Sequence, residues 1–510
     1  MSASASYRSV APALPLQAPA HLPSAVAAPV PQAGRHPAND ARAAGIDSDR
    51  ALYEALFNHP EDADVRSASR QWLDQRLAEA AALPCALPDA PEDLAAWMTA
   101  SADEAGDRYQ VYLAQRKAGA PRRFFRNRAH ALAFLRGVAP TKLVDGSWLH
   151  GVLRHWQNPR YMDLVRTYVE ELGDGRADRN HVLLYRQLLA AHGLEHWQDL
   201  PDDRYTQGAL QLALAVHTDD LLPEVIGFNL GYEQLPLHLP ITAYELNELG
   251  IDPYYFTLHV TVDNADTGHA HRAVDAVLDA MPRVGDASEF WRRVRVGFSL
   301  NDLGAGTNDV IRGFDIQDEV ERIFKRKSSA GRAAHSDYCR VAGRSVNQWL
   351  AEPAYIPAFL TALERTGWIV RNAPPAESRF WKLLDGDHAE MFGVFSTYEL
   401  QVIQDWLRGD ASADGAPVST TATGGDGTLR RPRSFRAQQR LDAARTPTAA
   451  PAPDAATLLD PDIDALELAI ARTPDTAALG QLLVEAMAPS RHWMPVGLMA
   501  TQRFMRLALA

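Results

Sequence analysis

An all-α bundle is the fold class that this 510-residue sequence predicts. Three observations carry it. Apolar residues recur at helical spacing between roughly 47 and 409, strand-like alternation is scarce, and glycines and prolines stand where helices should end. Trp148, Leu149, Val152, Leu153 and Trp156 form one apolar stripe, followed by Tyr161, Leu164, Val165 and Tyr168. Residues 181–191, 209–216, 244–249 and 355–366 read the same way, and 328–350 is expected to be a helix packed near the functional site. Gly173, Gly193, Pro201, Pro223, Gly250 and Pro253 mark the expected helix ends. No internal repeat is visible.

The two ends differ from the middle. Residues 1–45 are rich in Ala, Pro and Ser and cannot bury enough apolar surface to offset their ordering entropy, so a disordered tail is expected there. A helical extension over 46–129 should precede the main domain at 130–409. Gly424-Gly425-Asp426-Gly427 and the Pro/Ala alternation of 446–453 predict a flexible linker over 410–458. A short helical segment, 459–510, closes the chain, with patterns around 466–471 and 479–487 and an apolar stretch from Trp493 to Met499. That segment has two readings: it docks back onto the main domain, or it binds a partner.

Composition narrows the function classes. A formal net charge of -13 argues against general affinity for nucleic acid or an anionic membrane surface, which clustered Lys and Arg would drive. Two cysteines, Cys85 and Cys339, are too few for a disulfide scaffold or a cysteine zinc site. Such low cysteine usage fits a reducing compartment, and the cytoplasm is the expected location. No apolar run reaches the roughly 20 residues that span a bilayer, and no compact apolar core marks a secretory signal.

Four segments offer metal ligands. In Tyr168-Val169-Glu170-Glu171-Leu172-Gly173-Asp174-Gly175 a helix ends in a glycine-containing turn; His181 begins the next helix, with Asn180 or Asp178 as its cap. A turn of that kind can bring Glu171 and His181 together. In the third segment, Glu224 and Glu233 lie nine residues apart, about 180° around a straight helix, so both cannot face one site. Glu233 is preferred because Gly227, Leu230 and Gly231 suggest a buried face, and Glu224 is the alternative. In the fourth, His259 and Asp263 stand at i and i+4, and Asp266 continues their side. His269 joins them only if the helix bulges or breaks, which Gly268 permits. Singly, each feature has an ordinary structural reading, such as a capping His/Asp pair or a solvated Glu-Glu at a helix end. Jointly, carboxylates and imidazoles projecting inward from several helices form the ligand set of carboxylate-bridged di-iron sites. Manganese suits the same set.

These segments resemble the haem-oxygenase-like di-iron oxidases, or iron-containing redox enzymes. The resemblance runs through Glu170-Glu171-Leu172-Gly173-Asp174-Gly175 with His181, Gly227-Phe228-Asn229-Leu230-Gly231-Tyr232-Glu233, Leu258-His259-Val260-Thr261-Val262-Asp263-Asn264 and Gly268-His269-Ala270, and on to Met391-Phe392-Gly393-Val394-Phe395-Ser396. It covers roughly 130–410. It implies a seven-helix haem-oxygenase-like fold, with one iron held by Glu171, His181 and His259. The second would be held by Glu233, Asp263 and a further His, with Glu171 bridging. The family often places that His three residues after the Asp; here Asp266 stands there and His269 is the shifted equivalent.

The implied chemistry is O2 activation by two Fe(II) ions, with N-hydroxylation, desaturation or C–C cleavage of a small amine, amino-acid or fatty-acid-like substrate in a biosynthetic pathway. No catalytic residue separate from the metal ligands is expected. Arg166, Arg186, Lys325, Arg326, Lys327 and Arg344 are candidates to hold a substrate carboxylate. An electron donor and a homodimer are further expected partners. The rival readings are a cofactorless or haem-dependent enzyme on the same fold, and a non-catalytic helical binding or scaffold protein.

Overall fold

The computed structural model describes residues 46–262, 268–332, 334–385, 389–409 and 460–508. The expected tail over 1–45 and linker over 410–458 lie outside the described residues, as do Asp263 and Asp266. From Ile46 onward the chain forms one compact unit.

Helices dominate it. Four come first: α1 (Asp49–Asn58), α2 (Ala63–Ala81), α3 (Leu94–Lys117) and α4 (Arg128–Gly137). Side chains of Ser48, Asp62 and Asn127 cap α1, α2 and α4 by accepting from backbone N–H groups of the first turn. The helices that frame the site follow: α5 (Met162–Glu171), α6 (His181–Ala191), α7 (Thr206–Val216), α8 (Thr218–Tyr232), α9 (His238–Glu248), α10 (Tyr254–Val262), α11 (His269–Ala280) and α12 (Ala287–Ser299). Then come α13 (Ile316–Gly331), α14 (Ile356–Arg365) and α15 (Thr397–Arg408), and at the C-terminus α16 (Pro461–Arg472), α17 (Thr476–Ala486) and α18 (Pro495–Ala508).

Three departures from the sequence reading have local causes. The stripe from Trp148 is a 3-10 helix, Ser147–His155, rather than an α-helix. Pro223 does not end a helix. It lies inside α8, just past Leu221, whose φ of -120° and ψ of 27° kink the chain, so the proline opens the helix that resumes there. The helix expected over 328–350 stops at Gly331. Beyond it, Arg340–Val341 and Arg344–Ser345 pair as a short antiparallel hairpin, with Arg340 opposite Ser345, around Ala342 and Gly343 at positive φ. These are the strands among the described residues.

Two apolar cores meet at the site. One gathers Trp148, Tyr168, Leu214, Ile226, Val277 and Phe504; the other Phe125, Leu135, Tyr185, Tyr255, Ile403 and Trp406. Each large side chain fully buried there contributes about 1.5–3 kcal/mol. Helices α5, α8 and α11 feed the first core, and α6 and α10 the second. The C-terminal segment docks: Leu466, Leu483, Met487, Val496 and Phe504 are buried in the first core. Among the described residues no helix is long and apolar enough to cross a membrane.

Candidate metal centre

Two groups of buried side chains offer ligand atoms that lie within 4.8 Å of one another, and Glu171 belongs to both. The first group is Asp145, Glu171, His181 and His259; the second is Glu171, Glu233 and His269.

Glu171 is the last residue of α5, and His181 the first of α6. The intervening turn runs through Gly173, Asp174 and Gly175, all at positive φ, and reverses the chain. Asn180 is the cap, its Oδ1 accepting from the Leu183 N–H at 2.9 Å. The reversal brings His181 Nδ1 to 2.6 Å from Glu171 Oε2.

Asp145 is the ligand-type residue that the sequence reading missed. It precedes Gly146, whose φ of 78° turns the chain into the 3-10 helix. A Cβ on Gly146 would come within 2.9 Å of the Glu171 side chain, so the glycine makes room for that carboxylate. Asp145 accepts from the Tyr232 hydroxyl at 2.7 Å and the Tyr255 hydroxyl at 2.5 Å, and the Lys142 ammonium lies 3.6 Å away. Burial alone would raise its pKa. Lys142, then the bond to His259, outweigh that and hold it well below the usual carboxylate range. Burial, aided by the Asp145 charge, keeps both tyrosines protonated as donors.

His259 lies mid-α10. Its Nδ1 is 2.8 Å from the Tyr255 carbonyl, which can only accept, so Nδ1 carries the proton. Nε2 faces Asp145 Oδ2, 3.2 Å away. His181 Nδ1 faces Glu171 Oε2 in the same way, 2.6 Å away. Buried imidazole nitrogens facing buried carboxylate oxygens need positive charge between them, which a metal ion can supply in place of protons.

The second group forms where α8 and α11 meet α5. Glu233 caps the C-terminus of α8, and His269 opens α11 behind Gly268. The break expected near Gly268 is therefore present: Gly268 is extended, with φ -86° and ψ -165°, and α11 starts behind it. His269 Nδ1 lies 3.0 Å from Glu233 Oε2 and 3.3 Å from Glu171 Oε1. Its Nε2 lies 2.9 Å from Glu170 Oε2. Glu170 is also held by Arg166, at 2.7 Å, and by Arg272. Burial opposes its ionisation, but the bond to His269, then Arg272, lower its pKa to about 2. A carboxylate behind an imidazole fixes ring orientation and tautomer, as in carboxylate–histidine–metal sites. Glu171 is held well below the usual range by His181 and His269 despite its burial.

Of the sequence-predicted ligands, Glu171, His181, Glu233, His259 and His269 are thus brought together. Asp263 and its alternative Asp266 lie outside the described residues. Glu224, the other alternative, is a correction. It faces away from the site, in a two-pronged ion pair with Arg293 at 2.6 Å, as its half-turn offset from Glu233 requires. Among the six basic candidates, Arg166 is committed to Glu170, Lys325 to Glu321, and Arg326 and Lys327 to Glu399. Arg344 stacks on Trp349 and Tyr355. Arg186 stacks 3.8 Å over Trp493 and has no hydrogen-bond or carboxylate partner among the described residues.

The donor set suits iron: imidazole nitrogens and carboxylate oxygens, no thiolate in either group, and one carboxylate, Glu171, common to both. Residues 132–301 match the model of a family described as iron-containing redox enzyme. No curated protein and no solved structure matches the chain.

Proposed function

We propose, from the match of residues 132–301 to the iron-containing redox enzyme family, that the chain is an oxidoreductase and, more closely, a non-haem oxidase with two irons per chain sharing Glu171. The observation that carries this reading is the membership of Glu171 in both buried donor groups. Asp145, His181 and His259 would complete the first ion's ligands, and Glu233 and His269 the second's. Asp263 is a further proposed donor to the second ion. Bound Fe(II) would supply the electrons that activate O2 for oxidation of a small amine, amino acid or fatty acid.

The chain's own residues prepare that chemistry. Tyr232 and Tyr255 hold Asp145 in place through their hydroxyls. Glu170 turns the Nδ1 edge of His269 toward Glu171 and Glu233. The two apolar cores exclude water around the ligands, strengthening every charge interaction there. Arg186 is the guanidinium left to hold a substrate carboxylate. With an acid substrate in hand, Arg186→Met should raise KM roughly tenfold and leave the matching neutral amide unaffected.

A haem enzyme needs one axial ligand and an apolar slot, and has no use for three converging carboxylates. Metal analysis after anaerobic loading with Fe(II) tests the reading. About two irons per wild-type chain and a stoichiometry near one in His259→Ala are expected. Wild-type protein that retains no iron would refute it and favour a binding or scaffold role.

A further inference from the structure

The turn between Glu171 and His181 sets the distance between two proposed ligands, and the C-terminal segment holds that turn from outside. The Tyr168 hydroxyl, one turn before Glu171, donates to the Met487 carbonyl at 2.7 Å. The Gln502 amide donates to the Gly175 carbonyl at 2.8 Å. Gly175 has φ 73°, and a Cβ there would stand 2.5 Å from the Leu498 carbonyl, so only a glycine lets α18 come this close. His150, in the 3-10 helix that follows Asp145, reaches the Val484 carbonyl at 3.1 Å.

The contact nearest a proposed ligand is made by His492. Asn180, the residue before His181, uses its side-chain oxygen to cap α6. Its side-chain amide nitrogen is then left as a donor. It points to the Leu172 carbonyl at 3.3 Å, His492 Nδ1 at 3.2 Å and the His492 carbonyl at 3.4 Å. One side chain thus ties the end of α5, the start of α6 and the C-terminal segment together. Because an amide NH2 can only donate, Nδ1 of His492 must offer a lone pair, and the proton sits on Nε2. That Nε2 is buried with no hydrogen-bond partner among the described residues. An orphaned buried donor costs about 1–3 kcal/mol, so an apolar side chain would fill this space at lower cost. What His492 supplies that Leu cannot is the Nδ1 acceptor, the nearest of the three at 3.2 Å; the carbonyls of Leu172 and residue 492 belong to the backbone and stay in any variant.

We propose that His492 is a positioning residue for the metal centre: through Asn180 it fixes the first turn of α6, and with it His181, against Glu171. The residue comes from outside the family-matched segment 132–301. The assignment rests on the metal reading above. Burial, then the neighbouring His150, lower its pKa to about 3, which keeps the ring neutral and able to accept.

The test uses full-length apo protein titrated with Co(II), following the visible d–d bands and the Kd. His492→Leu keeps the bulk and removes the Nδ1 acceptor, leaving the backbone carbonyl; His492→Asn keeps an oxygen near the Nδ1 position. Leu should weaken binding of the first ion by tenfold or more and shift its bands, in line with the 10–100-fold effects of outer-shell partners. Asn should restore both to within about threefold. Should the Leu variant fail to fold, Asn180→Asp retains the cap oxygen, loses the donor to His492, and should weaken Co(II) binding equally. Wild-type affinity and spectrum in the Leu or Asp variant would overturn the assignment of His492 alone, as would equal losses in Leu and Asn. A wild-type chain that binds no Co(II) would overturn this assignment together with the metal reading.

Discussion

Buried carboxylates occur in two kinds of place in this molecule. Glu245, on α9, accepts from the Tyr112 hydroxyl at 2.8 Å and from the backbone N–H groups of Arg123, Phe124 and Phe125. Glu224 is clamped by Arg293. These two meet hydrogen-bond donors. Glu171 and Glu233 instead meet imidazole nitrogens of His181 and His269, and one another's neighbourhood. Burial is the same in both regions; what the oxygens face differs. A carboxylate bound by backbone N–H groups or an arginine holds the chain in shape, whereas one that shares imidazoles with other carboxylates offers atoms that a metal ion can take.

The comparison is broken or kept by two substitutions measured together. Glu245→Ala leaves three backbone donors and a hydroxyl orphaned and should cost about 4 kcal/mol or more in urea unfolding of the apo protein, since each of the four orphans costs roughly 1–3. Glu171→Ala should abolish iron retention at both positions, yet cost the apo protein clearly less than Glu245→Ala does, because the imidazoles it leaves can release a proton whereas backbone donors cannot. If Glu171→Ala destabilises the apo protein as much as Glu245→Ala does, Glu171 is a structural carboxylate and the contrast fails.

Asp145 stands between the two kinds. Two tyrosine hydroxyls serve it as they would a structural carboxylate, and its remaining edge faces His259 Nε2. Asp145→Asn keeps the shape and removes the charge. Iron affinity at the first position should fall by roughly 10–100-fold with little change in fold. Unchanged affinity by equilibrium dialysis would assign Asp145 to the structural class.

The contrast also explains what could be read in the sequence. Glu171 and His181 were legible because ten residues through a glycine turn leave two helix ends little freedom to diverge. Glu233 was separable from Glu224 by helix geometry together with its small and apolar neighbours Gly227, Leu230 and Gly231. Asp145 carried no comparable signal: Asp-Gly before an apolar stripe looks like any turn, and only the close approach of Glu171 to Gly146 gives it a role. The apolar stripe at 148–156 gave a helix but not its 3-10 form, because both periods put Trp148, Leu149, Val152 and Leu153 inside. The hairpin after Gly331 was hidden by two residues per strand, too short for alternation to register. His492 was out of reach altogether. It meets Asn180 across 312 positions of chain, and nothing local to either residue encodes that pairing.

The same long-range contact gives the smallest expected effect, one that reports whether the C-terminal segment stays seated. His492 has a folded pKa of about 3, with burial the main cause, against about 6.5 when unfolded. Below pH 6.5 the unfolded chain binds this proton and the folded one does not, so the ring's contribution to stability is fully present above pH 6.5. It is lost progressively as pH falls toward 3, by at most about 1.4 kcal/mol per pH unit. In His492→Asn that titration is gone while the acceptor for Asn180 is retained. The stability of wild type minus that of the Asn variant, from urea unfolding of the apo chain, should therefore drop by about 2 kcal/mol between pH 6.5 and 5. A difference that stays flat over this range would mean that the imidazole titrates normally in the folded protein. The segment from Asp460 onward would then leave the Glu171–His181 turn in solution, and the buttress on that side of the metal centre would be open rather than closed.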